Sequence, residues 1–450
     1  MATVIKIKKG LDINLKGKAS GVTVKAAVSD SYAIVPDHYT GVMPRVTVRP
    51  GDRVKAGSTL MTDKRYPEIR FVSPVSGEVT EVLRGEKRRV LRIEVKPDRE
   101  IEYETFAVKP AASTAGSEEI KALLLEAGMW PYIKQRPYDR IAAPDVAPRD
   151  IFVTACHTAP LAPDFDYIVK GEEDALQAGL DALGRLTEGH VYLGVKKDST
   201  LAPERVECVE LDGPHPAGNA GVMINRICPV NKGETVWTLN AADVLFIGRL
   251  MLTGKADFSR LVALTGPEMT ERGYVRAIAG CTVASLTKGR TMPGDRRIRL
   301  ISGNVLTGAK VAPEDFLGAY DNQITAIPEG DDVDEFLGWG MPGFGKYSVS
   351  RSYFTWLAGR AREYVIDARI RGGRRAMIMS GEYDKVFPMD ILPEYLLKAI
   401  IAFDIEKMEN LGIYEVAPED FALCEFVDTS KIEIQQIVRN GLDLLYREMN

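Results

Sequence analysis

Apolar and polar side chains alternate in short runs over residues 1–100, and glycines and prolines separate these runs. Residues 79–82 and 90–95 are two clear examples. Because successive side chains of a strand point to opposite faces, the alternation predicts short antiparallel strands with one buried face. We therefore predict an all-β domain over residues 1–100.

The pattern changes to strands and helices in alternation over residues 101–255. Apolar positions recur at helical spacing over 118–128 and 172–186, whereas apolar runs at 151–154 and 190–195 are typical of buried strands. A strand, a helix and a second strand in this order predict a parallel sheet with helices packed on its faces.

Two further patterns cover the rest of the chain. Short strands return over residues 256–330, for example at 273–278, and they predict a small β-rich module. Residues 331–450 are predicted to be largely helical, with Pro393 near a helix start and a last helix over 433–449.

Composition indicates a folded, soluble protein of about three domains, since 450 residues with 45% hydrophobic and 27% charged side chains can bury a large core. The longest apolar stretch, residues 241–254, is interrupted by Asp243 and Arg249 and is shorter than the roughly 20 residues of a membrane-spanning helix. The N-terminus lacks the apolar core and cleavage site of a secretory signal. We therefore expect a cytoplasmic protein without a membrane span.

The cysteines and histidines form no local site. Five cysteines are widely spaced without a Cys-x-x-Cys pair, and four histidines are scattered along the chain. Such spacing supports neither a disulfide framework nor a zinc or iron-sulfur site. We therefore predict no metal site.

Charge is distributed unevenly along the chain. The net charge is −5, but residues 1–100 hold 20 Lys and Arg against 12 Asp and Glu, which leaves −13 on the remainder. This asymmetry predicts a partner surface at the basic end, either an acidic protein or lipid headgroups, unless it is only solvated charge on a small β domain. No nucleic acid partner is expected.

Residues 46–82 have the pattern of lipoyl and biotin carrier domains: a strand, a Pro-Gly turn, a charged hairpin tip and Ser-Pro-x-x-Gly before another strand. Lys64, nine positions before Ser73, has the spacing of the modified lysine. However, a charged and proline-bent run at 65–67 follows it, whereas biotin sites need flanking methionines and lipoyl sites a following apolar residue. We predict the carrier shape without the modification.

Three local strings have both a chemical and a structural interpretation. Cys156-His157 could supply a nucleophile and its base, but adjacent residues rarely point the same way, so loop residues are the alternative. His-Pro-Ala-Gly-Asn-Ala-Gly at 215–221 could present backbone groups to a polar ligand or form a tight turn. Gly-rich residues 338–345 contain bulky side chains and a proline, which favours a linker over a phosphate loop.

Three strings occur together in order: DKRYPEIRFVSPVSGEVTEVLRGEKR at 63–88, HPAGNAG with RICPVNKGETVW at 215–237, and FPMDILPEYLLKAI with DFALCEFV at 387–427. Together they resemble the A subunits of the sodium-translocating NADH:quinone oxidoreductases, over essentially the whole chain. This family is similar to the C subunits of Rnf complexes and to the flavin-carrying subunit of respiratory complex I.

The resemblance implies four domains. They are a carrier-like barrel-sandwich over 1–100, a Rossmann-like α/β domain over 101–255, a β-grasp-like module over 256–330 and a C-terminal helical domain over 331–450. The resemblance therefore implies an α/β and β multidomain fold.

The resemblance also implies that cofactor ligands have been lost. Residues 127–132 stand where the complex I relative has its flavin-phosphate loop, and bulky Met129 and Trp130 are expected to obstruct a phosphate. Residues 154–160 replace the relatives' acidic run that helps to bind NADH, and only Pro160 matches.

The relatives' two ferredoxin-like cysteine runs are degenerate here as well. One cysteine remains among the eight aligned positions, too few to ligate two iron-sulfur clusters. The eight positions are Met377, Ser380, Tyr383, Phe387, Pro418, Phe421, Cys424 and Asp428.

The implied function is that of a peripheral subunit on the cytoplasmic face of the membrane, in a complex that couples electron transfer from NADH to quinone to sodium export. NADH, flavin, iron-sulfur and quinone chemistry would lie on other subunits. This chain would bind no cofactor, would not be catalytic alone and would dock on the membrane subunits. A contribution to quinone binding is the competing role, with candidates His215, Asn219, Tyr32 and His38. The alternatives are a lipoyl or biotin carrier and an Rnf-type subunit.

Overall fold

A computed structural model describes residues 3–25, 28–108, 116–331, 338–341, 343, 345–359 and 361–449. The Gly-rich string at 338–345 is only partly covered, because Pro342 and Phe344 lie outside the described residues. Within these ranges, no helix has the length and apolar character needed to cross a bilayer.

The described part of the chain forms short strands throughout its first three quarters. They are β1 Thr3–Lys6, β2 Thr23–Val24, β3 Tyr32–Ile34, β4 Pro44–Val46, β5 Arg53–Val54, β6 Thr59–Asp63, β7 Arg70–Val72, β8 Gly77–Arg84, β9 Val90–Pro97, β10 Lys134–Arg136, β11 Arg140–Ile141, β12 Ile151–Ala155, β13 Val191–Lys196, β14 Glu207–Asp212, β15 Val236–Asn240, β16 Ser259–Thr265, β17 Tyr274–Ile278, β18 Ile298–Ser302, β19 Ala309–Val311 and β20 Gln323–Pro328.

The α-helices lie between these strands and at the C-terminal end. They are α1 Ser117–Glu126, α2 Phe165–Val169, α3 Glu173–Gly184, α4 Ala220–Ile227, α5 Ala241–Thr253, α6 Val283–Thr287, α7 Tyr383–Val386, α8 Pro393–Ile401, α9 Ile405–Asn410, α10 Ala422–Val427 and α11 Ile434–Met449. The predicted helices at 118–128, 172–186 and 433–449 correspond to α1, α3 and α11 within two residues at each end.

A seven-stranded sheet in the order β1-β14-β13-β12-β15-β10-β11 lies at the centre of the chain. Its first five strands are parallel, and β10 and β11 continue it antiparallel. The parallel sheet predicted from the strand-helix-strand order is therefore present.

Both faces of β12 are buried. Ile151 and Val153 enter one apolar core, and Phe152 enters a second. This alternation explains why the strand reads as a continuous apolar run. Helices α3 and α5 pack on the first face, where a Cβ on Gly248 would stand 1.7 Å from the backbone oxygen of Ala175.

Residues 32–97 form a barrel-sandwich of two small antiparallel sheets, β3-β9-β8-β5 and β4-β6-β7. The N-terminal residues differ from the predicted domain, which began at residue 1. Thr3–Lys6 pairs in parallel with β14 of the central sheet, and Thr23–Val24 pairs with β17 of the next sheet. No local pattern signals these partners, because they lie about two hundred residues away along the chain.

A third unit is the six-stranded sheet β19-β18-β20-β16-β17-β2, in which β16 and β20 run parallel at the centre. The antiparallel pair β16-β17 extends the sheet on one side of this centre, and the antiparallel pair β18-β19 extends it on the other side. Helix α6 connects β17 to β18 along the chain. Its apolar face joins the same core as the barrel and helices α3 and α5.

Helices α7 to α11 cover the second face of the central sheet, together with α4. A buried ion pair anchors them: Arg136 of β10 lies 3.4 Å from Asp420, and each side chain is 1% exposed. Asp420 also accepts a hydrogen bond from the Ala417 amide at 2.9 Å. The C-terminal domain is therefore held to the sheet by a charge pair as well as by apolar packing.

Asp420→Asn should lower the free energy of unfolding by up to about 3–5 kcal/mol, because it removes the fully buried partner of the Arg136 guanidinium and leaves only the half-exposed Glu419, at 3.3 Å, as its paired carboxylate. Urea denaturation measures this loss. As a control, Asp98→Asn removes the partner of Arg53, whose side chain is 65% exposed, and should leave the free energy of unfolding nearly unchanged. Equal losses in the two variants would contradict a structural role for the buried pair.

Candidate functional site

A cleft near the predicted residues lies at the carboxyl end of β12, and we name it the β12 cleft. It has a volume of about 500 Å³. Its wall is formed by the loop 155–165, residues 12–15, Lys18, Lys196, Ala361 and Glu363. This loop overlaps residues 154–160, which the sequence resemblance aligned with the acidic run of the related electron-transfer subunits.

Sheet topology places a crevice at this point. The chain leaves β12 through α2 and α3 to pair β13 on one side, whereas β15 pairs with β12 on the other side. The carboxyl ends of β12 and β15 therefore diverge at a topological switch point, the usual ligand position in open α/β sheets. Here His157 fills part of it, with Nε2 3.0 Å from Asn240 Nδ2 and the ring 4.9 Å from that of Phe165.

Cys156 and His157 do not form a nucleophile and its base. Burial raises the pKa of the Cys156 thiol to about 12, so the thiol is protonated at neutral pH. The His157 ring is engaged with Asn240. The structural interpretation of this dipeptide as loop residues after a strand therefore holds.

His215 lies behind the wall of the β12 cleft and contacts it through Thr158. Thr158 Oγ1 is 3.1 Å from His215 Nδ1 and accepts a hydrogen bond from the Gly218 amide at 3.1 Å. Because the Thr158 hydroxyl already accepts from Gly218, its hydrogen is available to donate to Nδ1. We assign the proton of the neutral ring to Nε2, which is buried without a hydrogen-bond partner among the described residues.

The backbone of His215 is fixed by the N-terminal segment. Its amide donates to Asp12 Oδ1 at 3.0 Å, and its carbonyl accepts from the Leu11 amide at 2.8 Å. Sequence reasoning missed Asp12, because no local signal connects it to a histidine 203 residues away. Thr158 was within the loop that the resemblance had singled out.

Burial lowers the pKa of His215 to about 4, and the neighbouring His157 lowers it further. The ring is only 4% exposed, so protonation would place a charge in an apolar core. His215 is therefore neutral at physiological pH and can serve as a hydrogen-bond donor through Nε2.

Asn219 has a structural partner rather than an open side chain. It precedes α4, and its Nδ2 donates to the Glu419 carbonyl at 3.2 Å and to Asp420 Oδ1 at 3.4 Å. These bonds connect the start of α4 to the C-terminal domain beside the ion pair of Asp420.

Tyr32 and His38 lie elsewhere, next to a second cleft between the barrel and its neighbours, which we name the barrel cleft. His38 lines it with Tyr39, Phe71 and Tyr132, but Tyr32 does not. The cleft has about 20 Å³ of free space, room for about one water molecule. Burial lowers the pKa of His38 and raises that of Tyr32 to about 12.

The four predicted quinone-binding residues thus do not share one cleft. Among the described residues, no residue that lines the β12 cleft also lines the barrel cleft. The sequence could not reveal this separation. Tyr32 and His38 are close in the chain, as are His215 and Asn219, but no local pattern shows that the two pairs lie in different domains.

The structure places the residues that were expected to obstruct a phosphate in the protein interior. Met129 and Trp130 are fully buried in the core and do not line the barrel cleft, and Trp130 Nε1 donates to the Ala142 carbonyl at 2.7 Å. Instead, the barrel covers the loop: a Cβ on Gly128 would lie 2.5 Å from a Val72 methyl group.

Four of the eight aligned ferredoxin-like positions are packing residues in the second core. Tyr383, Phe387, Phe421 and Cys424 are buried there, and the two phenylalanine rings lie 4.8 Å apart. Asp428 accepts a hydrogen bond from the Tyr383 hydroxyl at 2.7 Å. In the part of the chain that the structure describes, no group of three His, Cys, Asp or Glu is placed to hold a metal ion.

Lys64 is exposed in the turn between β6 and β7, as a carrier lysine would be. The next residue, however, is docked on the last helix: Arg65 donates to the Tyr446 hydroxyl at 3.1 Å. The hairpin tip is therefore part of an interdomain contact in this chain.

Three family models match consecutive parts of the sequence. The NqrA N-terminal barrel-sandwich hybrid domain matches residues 5–98, the NqrA second alpha/beta domain matches 115–256 and the NQRA C-terminal domain matches 261–312. Their order agrees with the order of the barrel-sandwich, the central sheet and the six-stranded sheet.

Curated relatives match over the full chain. The A subunit of the Na(+)-translocating NADH-quinone reductase of Vibrio anguillarum is 39% identical, covering 99% of this chain and 100% of that protein. The proteins of the same name from Pasteurella multocida (strain Pm70) and Neisseria meningitidis serogroup A are each 37% identical with the same coverage. Among solved structures, an NAD+-reducing [NiFe]-hydrogenase in the air-oxidized state matches 50% of each chain with 13% identity and a TM-score of 0.35.

His215→Gln should make stability less dependent on pH. The unfolded chain binds the His215 proton as pH falls below 6.5, whereas the folded chain binds it only near pH 4, so the native state loses stability through this window. The loss for this group is on the order of 3 kcal/mol over the whole window and about 2 kcal/mol between neutral pH and pH 5. Urea denaturation at neutral pH and at about pH 5 measures the difference.

His190→Gln is the matched control, because the His190 side chain is 60% exposed and pairs with Glu207 on the surface. The control should retain the pH dependence of the parent chain. If His215→Gln retained it as well, the buried neutral state of His215 would be wrong.

Proposed function

The chain belongs to the NqrA family of Na+-translocating NADH-quinone reductase subunits, and we propose that it acts as a docking scaffold within the complex. The full-length match to curated members of the family carries this proposal. We place the chain as a peripheral subunit on the cytoplasmic face of the membrane, bound to the membrane subunits. NADH oxidation, electron transfer to quinone and sodium export would take place on other subunits, with their flavin and iron-sulfur groups.

The packing of the former ligand positions supports a scaffold role. Tyr383, Phe387 and Phe421 contribute their rings to a core, and Asp428 binds a tyrosine hydroxyl and two backbone amides. Side chains used in this way stabilise the contact between the C-terminal helices and the sheet.

We further propose a division into four units. They are the carrier-like barrel-sandwich, the Rossmann-like domain of the central sheet, a β-grasp-like module and a C-terminal helical domain. The strand orders support this division, with the correction that the first 25 residues add strands to the second and third units.

Deleting this chain should abolish NADH-driven sodium transport by the complex, and full-length chain added back should restore it. The physical reason is that a scaffold acts by binding, so transport should follow the amount of chain that copurifies with the membrane subunits. Sodium uptake into vesicles and copurification are measured on the same preparations. Normal transport without this chain would contradict the scaffold role.

A second candidate role is quinone binding, and the β12 cleft favours it over the barrel cleft. Its volume of about 500 Å³ lies in the range of small-molecule sites, whereas the barrel cleft would have to open first. Leu161 and Phe165 give it apolar walls, and its polar lining includes His157 and Thr158, whose hydroxyl is bonded to His215 Nδ1. Asn219, Tyr32 and His38 become secondary candidates.

Ala159→Trp should weaken quinone binding to the full chain by at least about tenfold, because an indole ring would occupy space in the β12 cleft. A titration that follows tyrosine and tryptophan fluorescence measures the affinity. Ala202→Trp, at an exposed position outside the cleft, is the control and should leave the affinity unchanged. A featureless titration of the parent chain would rule out this role, and a loss caused only by His38→Gln would place the site in the barrel cleft.

A further inference from the structure

A cationic segment lies between the third unit and the C-terminal helices. Residues 345–380 contain eight Lys and Arg against two Asp and Glu, in a chain whose net charge is −5. The structure describes this segment except for Arg360, and apart from one short 3-10 turn it has no regular secondary structure.

The same segment exposes large apolar side chains. In the 3-10 turn Phe354–Ala358, Phe354 is 65% exposed, Trp356 48% and Leu357 67%. Val365, Ile370 and Ile378 of the segment are also exposed. A concentration of exposed apolar groups within one stretch marks an interaction surface, since soluble surfaces normally scatter them.

The local structure keeps the apolar side chains of the 3-10 turn exposed. Tyr353 and Thr355 alternate with the exposed residues and are buried, and the Thr355 hydroxyl donates to the Lys346 carbonyl at 2.7 Å. Tyr364 is also buried and packs its ring 5.2 Å from that of Tyr347. These inward-facing residues hold the turn in place while its aromatic and aliphatic side chains face solvent.

Cationic side chains stand beside the exposed apolar groups. The Arg351 guanidinium lies over the Trp356 ring at 5.4 Å, and Arg374 and Arg375 are exposed near Ile378 in the chain. Arg374 pairs with Glu433 on the surface, whereas neither Arg351 nor Arg375 has an acidic partner in the described ranges.

The basic N-terminus adjoins this segment. The Lys16 amide donates to the Tyr364 carbonyl at 2.9 Å, and the Tyr364 amide donates to the Asn14 carbonyl at 2.8 Å. Lys16 and Lys18 are exposed, and residues 1–25 contain six lysines against one aspartate. Lys16 and Lys18, two of these lysines, therefore lie beside residues 345–380 and not in the barrel.

We propose that residues 345–380, with the adjoining N-terminal lysines, dock on the headgroups of an anionic lipid bilayer. Anionic headgroups attract clustered Lys and Arg, while Trp, Phe and Leu enter the boundary between headgroups and acyl chains. This proposal rests on the proposed docking function and deepens it, because it names the surface and the lipid chemistry that would receive it.

The arrangement favours a lipid surface over an acidic protein. Apolar and cationic side chains alternate closely, as where the exposed Arg351 lies over the exposed Trp356 ring, whereas the core of a protein interface is depleted of charge. A bilayer accepts this alternation, because its phosphate layer and its acyl boundary are adjacent.

Flotation of the full-length chain with vesicles of phosphatidylcholine, with and without phosphatidylglycerol, tests the proposal. Binding should require phosphatidylglycerol and weaken with salt. Phe354→Ser combined with Trp356→Ser and Leu357→Ser should abolish flotation. Arg351→Gln with Arg375→Gln should weaken partitioning about fivefold for each removed charge.

Two control variants match the test variants in chemistry. Phe403→Ser removes an exposed apolar ring that is 73% exposed on the C-terminal helices, and Arg49→Gln with Arg99→Gln removes two exposed charges from the barrel. Both should bind vesicles as the parent chain does. Equal binding to both vesicle types, or equal losses in test and control variants, would overturn the lipid proposal.

Copurification with the membrane subunits in detergent separates this result from the docking function. If the parent chain does not bind vesicles and the test variants fail to copurify, the surface binds a protein partner and the lipid proposal is wrong, while docking stands. If the parent chain itself does not copurify with the membrane subunits, the docking function fails whatever the vesicles show.

Discussion

Burial of the central parallel strand on both faces is the constraint on which the rest of this structure depends. Alternate side chains of β12 enter two separate apolar cores, so neither face can be left in contact with water. Helices α3 and α5 cover one face, and α4 with the C-terminal helices covers the other. Exposing either face would cost roughly 25 cal/mol for each Å² of apolar surface. The last seventy residues are therefore part of the same fold as the sheet that they cover.

Buried charge pairs fix how these layers meet. Arg136 pairs with Asp420 between the sheet and the C-terminal helices, and Arg260 pairs with Asp243 at 3.0 Å between the six-stranded sheet and α5. Apolar packing alone tolerates small shifts of one layer over another, whereas a buried pair is favourable at one geometry. Asn219 strengthens the first of these contacts through its bond to Asp420, whereas His215 of the same string is bonded to Thr158 in the wall of the β12 cleft.

Three positions that the sequence resemblance aligned with ferredoxin-like cysteines are packing positions in this structure. Tyr383, Phe387 and Phe421 now fill a core, and the barrel lies over the loop at Gly128. The cleft at the carboxyl end of β12 remains, because it follows from strand order rather than from any ligand side chain. What distinguishes the chain at its surface is the combination of lysines, arginines and exposed aromatic rings in residues 345–380, which suits a subunit that works by attachment.

The sequence by itself determined the local elements and the family. Helices α1, α3 and α11 and strands β9, β12 and β13 follow from apolar spacing, since periodicity is a property of neighbouring residues. Only the tertiary structure decided the partners of β1 and β2, the bond from His215 to Asp12 and the separation of His38 from His215 into two clefts. It also decided that Lys16 of the basic N-terminal stretch pairs with Tyr364 rather than with the barrel. These features depend on contacts between residues that are far apart in the chain. Such contacts form only when the domains pack against one another, and no local sequence pattern encodes them.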